Sequence, residues 1–103
     1  MTKSIGLGAC GAFALLTAFA LPAIAYNGQN LAPQAKIDIA QARSLALKAH
    51  PGQITDEELE QERGGTGLRY SFDIKNGSVT SEVGVDARTG RVLENKAEGP
   101  NPD

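Results

Sequence analysis

Leu68-Arg69-Tyr70-Ser71-Phe72-Asp73-Ile74-Lys75-Asn76-Gly77-Ser78-Val79-Thr80-Ser81-Glu82-Val83-Gly84-Val85-Asp86 is the stretch on which the fold turns. Leu68, Tyr70, Phe72 and Ile74 alternate with Arg69, Ser71, Asp73 and Lys75. Period-two alternation places the apolar set on one sheet face and the polar set on the other, so this segment reads as a strand with one buried and one wet face. Asn76-Gly77 is a strong hairpin signal, because a two-residue type I′ turn needs positive φ at both central positions. Pairing about that dipeptide sets Ile74 opposite Val79, Phe72 opposite Ser81, Tyr70 opposite Val83 and Leu68 opposite Val85. The turn and the apolar pattern thus agree on which side chains share a face.

Working outward, Asp86-Ala87-Arg88-Thr89-Gly90 reads as a second turn, with Gly90 at a left-handed position. A short strand from Arg91 to Glu94 follows, with Val92 opposite Val85. Upstream, Ile39, Ala42, Leu45, Ala46 and Ala49 recur at helical spacing, while Arg43, Ser44, Lys48 and Leu47 lie off that face. Asp38 is a good N-cap and Gln41 sits where a capping box needs it. His50-Pro51-Gly52 ends the helix, since Pro51 disfavours helical geometry at His50 and Gly52 suits a left-handed cap. Between helix and hairpin, Asp56 to Glu62 favours helix by local propensity. The rival reading is a strand joined to Leu68 through Arg63-Gly64-Gly65-Thr66-Gly67.

Three of these segments together resemble the PepSY family. They are the run from Ile39 to Gly52, the middle strand Tyr70-Ser71-Phe72-Asp73-Ile74, and Val83-Gly84-Val85-Asp86-Ala87-Arg88-Thr89-Gly90-Arg91-Val92-Leu93. The resemblance implies an α+β fold: one N-terminal helix packed on a small antiparallel sheet of three to four strands. It also implies that Ile54 to Glu62 is a strand, against local propensity. Gly84 departs from the family, which usually carries a larger residue there; in the expected register it faces solvent and matters little.

The first 25 residues read as an export signal. Lys3 precedes an apolar run from Ile5, and Ala23-Ile24-Ala25 offers the small-x-small pattern of signal peptidase. Cleavage is expected between Ala25 and Tyr26, leaving a periplasmic or secreted protein. An uncleaved membrane anchor is disfavoured by Gly6, Gly8 and Gly11 and by the lack of a basic cluster after the run. Leu7-Gly8-Ala9-Cys10 resembles a lipobox, but the apolar segment follows Cys10 instead of preceding it. The expected organisation is therefore an export signal over 1–25, a flexible leader over 26–36, a folded domain over 37–95 and a disordered polar tail over 96–103.

Composition bounds the function. In 103 residues, charged side chains make up 21% with a formal net charge of -2, which argues against nucleic-acid binding and against docking on an anionic membrane. Once the signal is removed, no Cys remains for a disulfide, a thiolate metal site or a nucleophile. The acidic run Asp56, Glu57, Glu58, Glu60 and Glu62 lacks the spacing of a calcium loop and reads as a solvated surface. His50 is the only histidine, and a helix's last turn accounts for it. Gly64-Gly65-Thr66-Gly67 lacks the following helix and Lys of a phosphate loop. Ser44, Ser71, Ser78 and Ser81 have no triad partners recognisable in sequence.

No catalytic, cofactor-binding or metal-binding residue is therefore assigned. The expected role is a non-catalytic binding module with a protein partner. The family resemblance makes a secreted or periplasmic protease the natural partner, with the chain as inhibitor or regulator. The alternatives are an assembly accessory of an envelope complex and a small-ligand or cation binder using the acidic run.

Overall fold

The computed structural model describes residues 25–98. The body of the expected export signal, with Cys10, and the last residues of the expected tail lie outside them. Among the described residues no helix is long and apolar enough to cross a membrane.

One helix, α1 (Ile39–Ala49), precedes four strands: β1 (Gln53–Gln61), β2 (Leu68–Asn76), β3 (Val79–Asp86) and β4 (Val92–Ala97). The strands form one antiparallel sheet in the order β1-β2-β3-β4. This is the α+β architecture expected, with the sheet at four strands. The acidic segment is strand β1, as the family resemblance implies and local propensity does not. Its ladder to β2 buries Leu59 beside Tyr70, and that tertiary gain outweighs intrinsic preference.

The helix begins as the sequence dictates. The Asp38 carboxylate accepts from the Gln41 N–H at 2.8 Å, and the Gln41 side chain accepts from the Asp38 N–H at 2.9 Å. Ala42 and Ala46 are fully buried against the sheet, and their small size lets the helix approach closely. Leu47, which helical spacing left off the apolar face, also packs against the core, while Ala49 is exposed. Gly52 is not in the left-handed helical conformation of a cap: its φ is +156, which L side chains rarely adopt, and a Cβ there would lie 2.6 Å from the Lys75 carbonyl oxygen.

The β2–β3 register differs from the expected one by two residues. Asn76 pairs with Val79, so Gly77 and Ser78 make the turn, with Gly77 at φ +66. Ile74 faces Ser81, Phe72 faces Val83 and Tyr70 faces Val85. The Asn76 amide donates to the Pro51 carbonyl at 3.0 Å, which ties this residue to the helix exit and keeps it in the strand. Because the shift is even, every side chain keeps its predicted face. Tyr70, Phe72, Ile74, Val83 and Val85 therefore still form the core.

Two boundaries move. Residues 26–36, read from sequence as a flexible leader, are packed: Tyr26, Leu31, Ala32 and Ala35 contact the core, and Gln29–Gln34 form a 3-10 helix. Tyr26 sets its ring 6.4 Å from that of Tyr70, and the Asn27 carbonyl accepts from the Leu59 N–H at the outer edge of β1. At the other end Lys96 and Ala97, assigned from sequence to the polar tail, belong to β4, and the Glu98 N–H still donates to Thr80.

A β-branched residue at Gly77 would be strained by its positive φ alone, since nothing lies within 4 Å of a Cβ built there. Gly77→Val is expected to cost roughly 1–3 kcal/mol in urea denaturation, and Gly77→Asn, which tolerates this region, clearly less. Equal midpoints for Gly77→Val and the unmodified protein would contradict the observed turn.

A candidate binding face on the outer side of the sheet

Cross-strand register sorts the charged residues into rows. On the face away from α1, Glu58, Ser71, Gly84 and Glu94 form one row. Asp56, Asp73, Glu82 and Lys96 form the next, and Glu60, Arg69 and Asp86 a third. The expected wet face is thus real as a surface, but two of its residues are not wet. Arg69 is 7% exposed and Ser71 6%. Glu60 from β1, Glu62 just beyond it and Glu94 from β4 reach over them and replace water as partners.

Arg69 is the cation at the centre of this acidic face. Its Nη1 donates to Glu94 at 3.2 Å and lies 3.8 Å from Glu62; its Nη2 donates to the Arg63 carbonyl at 3.2 Å. Its Nε is buried without a partner. The Ser71 hydroxyl donates to Glu60 at 2.7 Å. Gly84 is what lets the guanidinium lie flat. A Cβ at that position would sit 3.2 Å from the Arg69 Cδ and 3.3 Å from Nη1. Gly84 therefore does not face solvent as the sequence suggested; it is buried beneath Arg69.

One arginine and one lysine do not neutralise this surface. Burial raises the Glu82 carboxyl to about 7, and Glu94, Glu98 and Asp73 add to the effect. Burial also raises Asp73, with Glu98 and Asp56 contributing. Glu58 is raised by burial and by its neighbours Glu60 and Asp56. Glu82, Glu94, Lys96, Ala97 and Glu98 line a shallow cavity of about 330 Å³ at the β4 side.

Glu57 does not belong to this solvated set. It stands in the row of Phe72 and Val83, on the helix side, where Arg43 grips it with two hydrogen bonds of 2.8 and 2.7 Å. A carboxylate on the core face is tolerable only with such a bidentate partner. The pair also fastens α1 to β1. Next to it, Tyr26, Asn27, Arg43, Ile54 and Asp56 border a cavity of about 430 Å³.

The other singled-out residues lie apart from this face or beneath it. His50 is the C-cap of α1, its N–H donating to Ala46. Thr66 of the glycine-rich loop donates from both its N–H (2.6 Å) and its hydroxyl (2.9 Å) to Asp86. Ser44 and Ser78 are exposed, while Ser81 is buried on the core face opposite Ile74. Among the described residues no group of three or more His, Cys, Asp or Glu is placed to hold a metal ion. Sequence reasoning missed Arg69 and Glu82 and discounted Gly84, because only the register brings residues from four strands side by side.

A carboxyl whose folded pKa is raised binds more protons in the folded state between its ordinary value and the raised one. Stability therefore falls as pH rises through that window. The melting temperature is expected to decline between about pH 4.5 and about pH 7, and Glu82→Gln should flatten most of that decline. An unchanged slope in Glu82→Gln would show that the face is not electrostatically frustrated.

Residues 36–96 match the family model described as peptidase propeptide and YPEB domain (PepSY). No curated protein and no solved structure gives a match. The matched residues run from just before α1 almost to the end of β4, so the whole helix-and-sheet unit described above is the family's domain. This chain belongs to the PepSY family.

Proposed function

We propose that this chain is an exported, non-catalytic binding module that restrains or regulates a protease, and that it meets its partner with the outer sheet face. The observation that carries this reading is the crowding of Asp56, Glu58, Asp73, Glu82 and Glu94 on one surface, where Glu82 and Asp73 are held above their ordinary pKa values. Such a surface is electrostatically costly while free, and a basic partner surface relieves that cost on binding. The family's description as a peptidase propeptide domain supplies the class of partner. The export reading rests on Lys3, the apolar run and Ala23-Ile24-Ala25.

Steering by this face gives binding a salt dependence, because exposed charges are screened beyond about 8 Å at physiological ionic strength. The test is to titrate the purified protein into secreted and periplasmic proteases of its own host while following a reporter peptide. Slowed cleavage is expected, with the protein itself left intact, weakening as salt rises and weakening further in Glu58→Gln/Glu82→Gln. Unchanged rates across these proteases, with none recovered by pull-down, would sink the protease reading and favour an assembly accessory.

A further inference from the structure

The two edges of the sheet are not alike. The β1 edge is covered near its middle by an isolated bridge between Asn27 and Glu58. The Asn27 carbonyl accepts from Leu59 at 2.8 Å, and Gly28 at φ +84 lies so close that a Cβ would collide with the Leu59 carbonyl oxygen. Among the described residues nothing pairs with the outer edge of β4. The Glu98 N–H donates inward to Thr80, and the register continues without a break through Glu82 with Lys96 and Gly84 with Glu94. In an antiparallel ladder inward-bonding and outward-pointing residues alternate. Glu94, Lys96 and Glu98 therefore bond inward, and Asn95 and Ala97 direct their N–H and C=O groups away from the sheet.

We propose that β4 is a homodimer edge, at which two copies pair antiparallel about Asn95 and join their sheets into one of eight strands. The registers that match outward-pointing groups differ in the charges they oppose. Centring the two-fold axis on Glu94 places Glu94 against Glu94. Centring it on Lys96 places Lys96 against Lys96 and Glu94 against Glu98. Centring it on Asn95 joins Asn95 to Asn95 by a reciprocal pair of backbone hydrogen bonds and sets Glu94 of each copy opposite Lys96 of the other. Centring it on Ala97 also matches outward-pointing groups and sets Lys96 opposite Glu98, but β4 ends at Ala97, so that register engages only the end of the strand, whereas centring on Asn95 pairs Val92 through Glu98. Strand length, backbone pattern and charge pattern together favour the Asn95-centred register, and a two-fold axis satisfies both copies at once.

The pairing also places Lys96 of the second copy on the carboxylate-rich side of the sheet, beside Glu94 and near Glu82, where positive charge is scarce. The same charges disfavour the registers centred on Glu94 and on Lys96, which oppose like charges. Two copies thereby present one acidic face of doubled width.

Sedimentation of the purified protein from about 10 µM to about 1 mM tests the proposal over the range expected of a short strand interface. A reversible monomer–dimer equilibrium is expected. A mixture of labelled and unlabelled chains should give an intermolecular Hα–Hα contact between Glu94 and Lys96, the signature of a non-hydrogen-bonded antiparallel pair. Asn95→Pro removes an outward N–H without touching the β3–β4 ladder and should leave a folded monomer. Lys96→Glu sets like charges opposite each other twice per dimer and should weaken association about tenfold or more. If Asn95→Pro loses its circular-dichroism melt, Lys96→Glu decides. A chain that stays monomeric at about 1 mM, or a dimer that neither substitution weakens, would overturn the proposal.

Discussion

The fold converges on the carboxylate of Asp86. It is 1% exposed, at the end of β3, and four donors reach it. The Arg88 and Thr89 N–H groups at 2.8 and 3.0 Å close the β3–β4 turn. The Thr66 N–H and hydroxyl bring the β1–β2 loop down onto the same atoms. Burial by itself would raise this acid, but the hydrogen bonds outweigh burial and hold it well below the usual carboxylate range. The backbone beside it carries the next contacts. The Ala87 carbonyl accepts from Lys36 and Ile37 at the entry to α1, and the Ala87 N–H donates to Leu68 at the start of β2. One charged side chain thus fixes two loops, and the adjoining peptide fixes the helix against the sheet.

That anchorage explains how so short a chain sustains a face crowded with like charge. The domain has a small core and no disulfide among the described residues, so its margin of stability is narrow. Arg69 offsets part of the repulsion on the outer face but is itself buried with an unsatisfied Nε, so the face is costly on both counts. A surface arranged in this way is explained better by a partner than by stability of the free domain. The core side shows the opposite arrangement. There Glu57 is matched by Arg43, and the Tyr70 hydroxyl, raised to about 12 by burial, donates a hydrogen bond to the Ile37 carbonyl at 2.9 Å.

Much of this was legible in the sequence, and the remainder was hidden for identifiable reasons. The capping box at Asp38 and Gln41, the alternation from Leu68 to Ile74 and the turn at Gly90 are local signals, and each appears where expected. The hairpin register was misplaced by two residues because Asn76-Gly77 and Gly77-Ser78 are both acceptable turns. A contact to Pro51, distant in sequence, decides between them. β1 was readable only through the family resemblance, since its acidic composition speaks for helix. The binding face was readable only in outline: the alternation from Arg69 to Lys75 marks a wet sheet face and Asp56 to Glu62 an acidic flank suited to a basic partner, but neither shows which residues meet. Its residues lie on four strands, and the burial of Arg69 depends on the absence of a side chain at Gly84. Asp86 appeared only as part of a turn motif, and nothing local to it announces that Thr66 comes to meet it.

The most direct measurement is the pH dependence of stability in Asp86→Asn beside the unmodified protein, by urea denaturation. An acid with a lowered folded pKa stabilises above its unfolded value, and that stabilisation is lost as pH falls through and below the ordinary Asp range near 3.9. The amide keeps the shape but can accept at only one of its two positions, leaving N–H groups short of a partner. At neutral pH a loss of about 2–4 kcal/mol is expected, and the acid limb attributable to Asp86 should disappear. A variant as stable as the parent at pH 7, with the same decline in acid, would contradict the central place given to Asp86.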